Sequence, residues 1–130
     1  MNVETLRDYC LSIAGDVVEK LPFAKIKGGE TVLVFYVCDH MFCYFDIETF
    51  DQVVVKAHPD DILIWRESEE GFGNPPHMSA RHWVGLDTRV VGDARMRELI
   101  AESYRIVKAK YTPKAKRKSR KNTDLDTGKA

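Results

Sequence analysis

Residues 30–47 read Glu30-Thr31-Val32-Leu33-Val34-Phe35-Tyr36-Val37-Cys38-Asp39-His40-Met41-Phe42-Cys43-Tyr44-Phe45-Asp46-Ile47. Aromatic and β-branched side chains crowd both halves, which suits a pleated, half-buried surface. Two strands are predicted, Glu30 to Cys38 and Met41 to Ile47, with a turn at Asp39-His40. That register sets Val37 against Phe42 and Phe35 against Tyr44, with Tyr36 opposite Cys43 and Cys38 diagonal to it. Tyr36, Phe45 and Ile47 then fall on the sheet face opposite Phe35 and Phe42.

Working outward, Phe23 to Lys27 followed by Gly28-Gly29 reads as an earlier strand and a two-residue turn, because glycine pairs supply positive φ. Beyond Thr49 to Asp51, Gln52 to Ala57 reads as a fourth strand. The result is an antiparallel meander. Before it, Val3, Leu6, Cys10 and Ile13 recur at helical spacing, with Asn2 as cap, Glu4 in the first turn and Gly15 as stop. After it, Pro59 opens a short helix with Asp60 and Asp61 in its first turn. Gly71, Gly73, Pro75 and Pro76 make residues 68–76 a loop, and His82 to Asp87 a last strand. A final helix runs from Asp93 to about Tyr111, with Met96, Leu99, Ile100, Tyr104 and Val107 as its buried stripe and Pro113 beyond its end.

The order is α, three or four strands, α, β, α. Strands grouped in this way predict a two-layer α+β fold, an antiparallel sheet covered by helices on one face. If the other face stays bare, its apolar residues form an exposed patch of the kind that marks a contact.

At 130 residues, 44% of them hydrophobic and 31% charged, the chain fits one globular domain. No apolar run reaches the roughly 20 residues of a membrane span, so no membrane partner is expected. Met1 to Ile13 carries Glu4 and Asp8 and is no secretory signal, which predicts the cytoplasm. The net charge of 0 hides an asymmetry. Residues 1–111 hold 13 basic and 18 acidic side chains, net −5; residues 112–130 hold 7 and 2, net +5. Lys114 to Lys121 has six basic residues in eight and nothing apolar larger than Ala115. Such a tail, 112–130, buries too little to order itself.

Three cysteines, Cys10, Cys38 and Cys43, are too few for a disulfide framework and read as free thiols. Cys38, His40 and Cys43 lack the second ligand pair that a closed zinc site uses. His77 and His82 would need partners such as Cys43, His58 or Asp87 that the sequence does not bring near. Neither a metal nor a cofactor is expected. No Ser stands in a Gly-x-Ser-x-Gly setting and no glycine loop cradles phosphate, so the chain reads as non-enzymatic.

One stretch is distinctive: Pro75-Pro76-His77-Met78-Ser79-Ala80-Arg81-His82-Trp83. It resembles the His-Met, three-residue gap, His-Trp signature of the MmcQ/YjbR family. Glu4 to Leu11 resembles that family's opening helix, Leu33-Val34-Phe35 to Met41-Phe42 its central hairpin, and Lys56 to Pro59 the approach to its second helix. The likeness covers residues 1–111. It implies a fold similar to type III secretion chaperones, and the family's usual description as a DNA-binding protein of double-wing form. After Trp83 many relatives read Asn-Thr-Val where this chain has Val84-Gly85-Leu86, so no ligand role carries over for that polar pair. His77, Met78, His82 and Trp83 stand beside a Gly/Pro-rich loop, where functional groups often sit. The packing alternative has His77 hydrogen-bonding the loop and Trp83 lying under a helix.

The DNA expectation rests on that resemblance and on the tail. Lys114, Lys116, Arg117, Lys118, Arg120 and Lys121 each offer a phosphate contact. Six contacts give a salt slope of about −5 on duplex DNA, with little sequence preference. Lys25 and Lys27 flank Gly28-Gly29 as a basic hairpin tip, and Arg81 adjoins the His-Trp motif. The competing expectation is a protein- or peptide-binding module, or a dimer, using a helix face or sheet edge.

Overall fold

The computed structural model describes residues 1–113. Its elements are α1 (Val3–Ser12), β1 (Val18–Lys20), β2 (Val32–Val37), β3 (His40–Asp46), β4 (Gln52–Lys56), α2 (Pro59–Ser68), β5 (Phe72–Gly73), β6 (Trp83–Asp87) and α3 (Asp93–Tyr111). The tail predicted for 112–130 lies outside the described residues except for Thr112 and Pro113.

Asn2 caps α1 as its side chain predicts, Oδ1 accepting the Thr5 N–H at 2.8 Å. Leu6 and Cys10 turn inward from this helix, and the Tyr9 hydroxyl donates to the Arg97 carbonyl of α3 at 3.0 Å. The strands form one antiparallel sheet in the order β1-β2-β3-β4-β6-β5. Leu33, Phe35 and Val37 of β2, Cys43 and Phe45 of β3, Val53 and Val55 of β4, and Val84 and Leu86 of β6 pack in one core with Leu6, Ile62, Leu99 and Ile100 from the helices. The Phe35 and Phe45 rings lie 5.8 Å apart and Phe42 meets Tyr104 of α3 edge-on at 5.5 Å, which locks sheet to helix. Among the described residues no helix is long and apolar enough to cross a membrane.

The predicted register of the central hairpin is corrected. The turn is Cys38-Asp39, both at positive φ, and Val37 pairs with His40, Tyr36 with Met41 and Phe35 with Cys43. Phe42 has no partner on β2, so two residues of β3 oppose one of β2. Such a bulge adds one residue to a strand and breaks the alternation of its side chains. Phe42 and Cys43 both enter the core, and Phe45 with them. Phe45 therefore does not share an exposed face with Tyr36.

The first strand is also displaced. Phe23 to Lys27 is a series of tight turns, with Ala24 N–H on Leu21 O, Ile26 N–H on Phe23 O and Gly29 N–H on Ile26 O. Pro22 has no N–H to give a ladder, and the strand β1 precedes it. Gly28 takes φ +90°, while a Cβ on Gly29 would stand 2.7 Å from that of Phe23. Inside the predicted loop, Phe72 and Gly73 form a short outer strand on β6.

The open sheet face is not bare. Gly73, Gly85, Val54, Tyr44 and Val34 make one row across it, and the Tyr44 hydroxyl reaches over to the Pro76 carbonyl at 3.4 Å. Loop 74–82 thus folds back across the open face, and Val34 and Val54 are buried there. The missing side chain at Gly85 leaves room for Gln52, whose Nε2 would stand 2.1 Å from a Cβ at that position.

Candidate nucleic-acid interface

Loop 74–82 is held through its main chain. Arg66 of α2 donates from Nη2 to the Ala80 carbonyl at 2.7 Å and the Trp83 carbonyl at 3.2 Å. Ser79 O accepts from both His82 N–H and Trp83 N–H, and His82 O accepts from Ala57 N–H at 3.1 Å. Pro75 is buried, whereas His77, Arg81 and His82 are exposed and Met78 is half-buried. His77 does not hydrogen-bond the loop: it sits at φ +64°, which turns the chain, and its side chain makes no hydrogen bond among the described residues. Trp83 is buried, but its register opposite Lys56 places it on the face away from the helices. The motif therefore builds a rigid strap that points three cationic or titratable side chains outward.

Arg81 and His82 lead into one end of the sheet, the end that also carries the Cys38-Asp39 turn. Lys56 Nζ stands 5.7 Å from the Trp83 ring centroid and 6.0 Å from that of Tyr111. Lys110 Nζ stands 5.4 Å from the Tyr111 ring. The Tyr111 ring in turn stacks on His40, centroids 3.4 Å apart and planes 8° apart. Ammonium groups over aromatic faces are held by the ring quadrupole. Four elements thus converge: β3 gives His40, β4 gives Lys56, β6 gives Trp83, and α3 ends in Lys110 and Tyr111. The six basic residues from Lys114 to Lys121 follow directly in sequence and lie outside the described residues.

Charge is unevenly distributed around this end. Of the 18 carboxylates in residues 1–111, two sit on α1, five on α2 and the two residues after it, and three on α3. Strands carry only Glu19, Asp46 and Asp87. Glu19 is taken by Arg7, with Nε to Oε1 at 2.7 Å, while Asp46 and Asp87 sit at the far end of their strands, opposite Val32 and Gln52. Arg89, Arg95, Arg105 and Lys108 also hold carboxylates. Among the described residues Lys25, Lys27, Lys56 and Arg81 form no ion pair.

Lys25 and Lys27 are exposed in the turns between β1 and β2, at the other end and other edge of the sheet from Arg81. Three interstrand spacings and about four residues along a strand put them roughly 20 Å from Arg81. They lie in the long connection of the β1–β2 hairpin instead of flanking a two-residue turn, and the structure does not gather them with the His-Trp strap. Sequence reasoning missed His40, Lys56, Lys110 and Tyr111, which come from elements remote in sequence; the one signal was that Tyr111 stands just ahead of the basic run.

Two other places hold polar or nucleophilic groups. A cleft of about 470 Å³ lies by Gln52, Gly73, Pro76, Gly85, Asp87 and Arg89. Its Arg89 is spent on Asp87, Nη2 to Oδ2 at 3.0 Å, and that bond holds the Asp87 carboxyl below its ordinary range. Burial pushes the Cys43 thiol well above its usual value, so it stays protonated and unreactive at neutral pH. Among the described residues no three His, Cys, Asp or Glu stand together to hold a metal ion.

A six-stranded antiparallel sheet with helices on one face and a His-Met/His-Trp strap on the other defines a particular class of small α+β protein. The chain belongs to the YjbR family, whose model matches residues 12–106. Its structure is similar to that of a Deinococcus radiodurans protein with the DUF419 domain, at 25% identity and TM-score 0.73 over 91% of this chain and 86% of that one. It is also similar to a Pseudomonas syringae protein, at 20% identity and TM-score 0.69 over 82% of this chain and 99% of that one. Comparison with curated proteins finds no match.

Proposed function

We propose that this protein is a non-enzymatic nucleic-acid-binding domain that holds DNA mainly by its phosphates. The observation supporting this reading is the separation of charge. Eight of the 18 carboxylates of residues 1–111 lie on helices and three on strands. Lys56 and Arg81 form no ion pair among the described residues at the sheet end from which the basic tail departs, an end whose turn carries Asp39. On a body of net −5, Lys56, Arg81 and the tail place basic groups at one end, and local clustering of this kind is what lets an acidic body approach phosphate. Lys114, Lys116, Arg117, Lys118, Arg120 and Lys121 extend the footprint. Lys25 and Lys27 offer a second spot that a longer duplex reaches.

The test is fluorescence anisotropy of a labelled duplex with the full chain across a salt series. Log K should fall linearly against log salt with a slope of about −5 or steeper. No binding at low salt, or a slope near zero, would rule the reading out.

A protein contact is the second reading, and one observation favours it. Strand β1 is an edge strand of three residues, and beside it Val18, Leu21, Phe23 and Ile26 are 49%, 46%, 37% and 59% exposed. An unpaired edge next to apolar surface is a template for association. Light scattering at rising concentration should then show a dimer that the pair Leu21→Lys and Ile26→Lys returns to monomer. A monomer at every concentration sinks self-association.

A further inference from the structure

We propose that the His40–Tyr111 stack is a platform for an unpaired base, so that single-stranded nucleic acid is the preferred ligand at the tail-bearing end of the sheet. This rests on the nucleic-acid reading above and adds to it the form of ligand. Two rings already lie parallel at 3.4 Å, one on a strand and one at the end of a helix. Their mutual stacking fixes both planes before any ligand arrives, which lowers the ordering cost of binding. His40 is an exposed residue at the start of β3, so a further planar group can continue the stack on its outer face. Tyr111 is half-buried and backs it.

The charges around the pair suit a strand that runs past it. Lys56 Nζ stands 5.7 Å from the Trp83 ring centroid and 6.0 Å from that of Tyr111, and Lys110 Nζ is 5.4 Å from Tyr111. Arg81 stands two residues before the buried Trp83. Aromatic faces with lysines beside them are how single strands are gripped without sequence preference, since every base has a π face and every linkage a phosphate. A duplex keeps its bases stacked internally and presents only phosphates and groove edges to such a platform. Phosphate contacts alone therefore make no use of the His40 ring.

The test uses the full chain and three labelled DNA probes of about 15 nucleotides, a length suited to one small single-strand site. They are a single strand, the same length of abasic strand, and the corresponding duplex. The single strand should bind about tenfold tighter than the abasic strand at matched salt, with the two salt slopes equal. His40→Ala should bring the single strand down to the abasic level and leave abasic and duplex affinities unchanged. The comparison of intact and abasic strands needs no variant, and His40 is exposed, so folding is not at stake. Equal affinity for intact and abasic strands, or an intact-to-abasic ratio unmoved by His40→Ala, overturns the platform while nucleic-acid binding stands. Failure of all three probes to bind overturns both.

Discussion

Replacing Ser103 with alanine should lower the free energy of unfolding by about 2–4 kcal/mol, because two buried backbone groups lose their partner together. Ser103 of α3 is fully buried, and it is the buried polar side chain of the described core. Its hydroxyl donates to the Phe42 carbonyl at 2.5 Å and accepts from the Lys56 N–H at 2.9 Å. Those groups belong to adjacent strands, one step beyond the last β3–β4 pair, Cys43 with Val55. The helix thus inserts a hydroxyl into the ladder where the bulge at Phe42 has shifted β3 away from its expected course. Alanine leaves a carbonyl and an N–H facing each other's former bridge in a water-free core. Urea unfolding is the measurement, with an unchanged m-value marking a pure stability change. The exposed hydroxyl of Ser68 bonds Ile64 O within its own helix, so Ser68→Ala should stay within about 0.5 kcal/mol. A loss at Ser103 as small as that of the control would mean that water replaces the hydroxyl. Lys56 also lies in the bridge, so the same substitution should loosen the Lys56–Trp83–Tyr111 arrangement.

The bridge also explains which parts of the fold were readable in the chain. Helices α1, α2 and α3 announce themselves by spacing and by start signals such as the Asn2 cap and Pro59 in the first turn, because both signals are local. Strands β3 and β4 are readable from composition. Their facing is not, because a single extra residue inverts every assignment beyond it. Phe42 carries no mark of being that residue; its carbonyl accepts the hydroxyl of Ser103, 61 positions away. Strand β1 has three residues and no period to read, while the apolar pattern of Phe23 to Lys27 mimics a strand where the chain makes successive tight turns. The site divides the same way. His77, Met78, His82 and Trp83 are visible as a motif, whereas the Arg66 side chain that holds the Ala80 and Trp83 carbonyls comes from α2 and is not. His40, Lys56 and Tyr111 meet only through strand order and the length of α3, neither of which a local pattern encodes.

Neutralising the tail should change DNA binding more than any substitution in the folded part. Changing Lys114, Lys116, Arg117, Lys118, Arg120 and Lys121 to glutamine removes six positive charges that follow Tyr111. If each meets a phosphate, the duplex salt slope should drop by about 5, and the advantage of the natural chain should shrink about 10³-fold between about 50 and 200 mM salt. The loss should be the same for unrelated duplex sequences, because phosphate contacts carry no base information. Lys56→Gln with Arg81→Gln should lower the slope by only about 2, since two contacts are at stake. Lys25→Gln with Lys27→Gln should act on long duplexes and spare short ones, because those residues lie across the sheet from the tail's origin. Residual binding by the tail-neutralised chain that Lys56→Gln and Arg81→Gln then abolish would place a true interface on the folded body. Residual binding unaffected by either pair would mean that the charge separation at the tail-bearing end is not what holds DNA. Full binding without the six charges would remove the tail from the mechanism altogether.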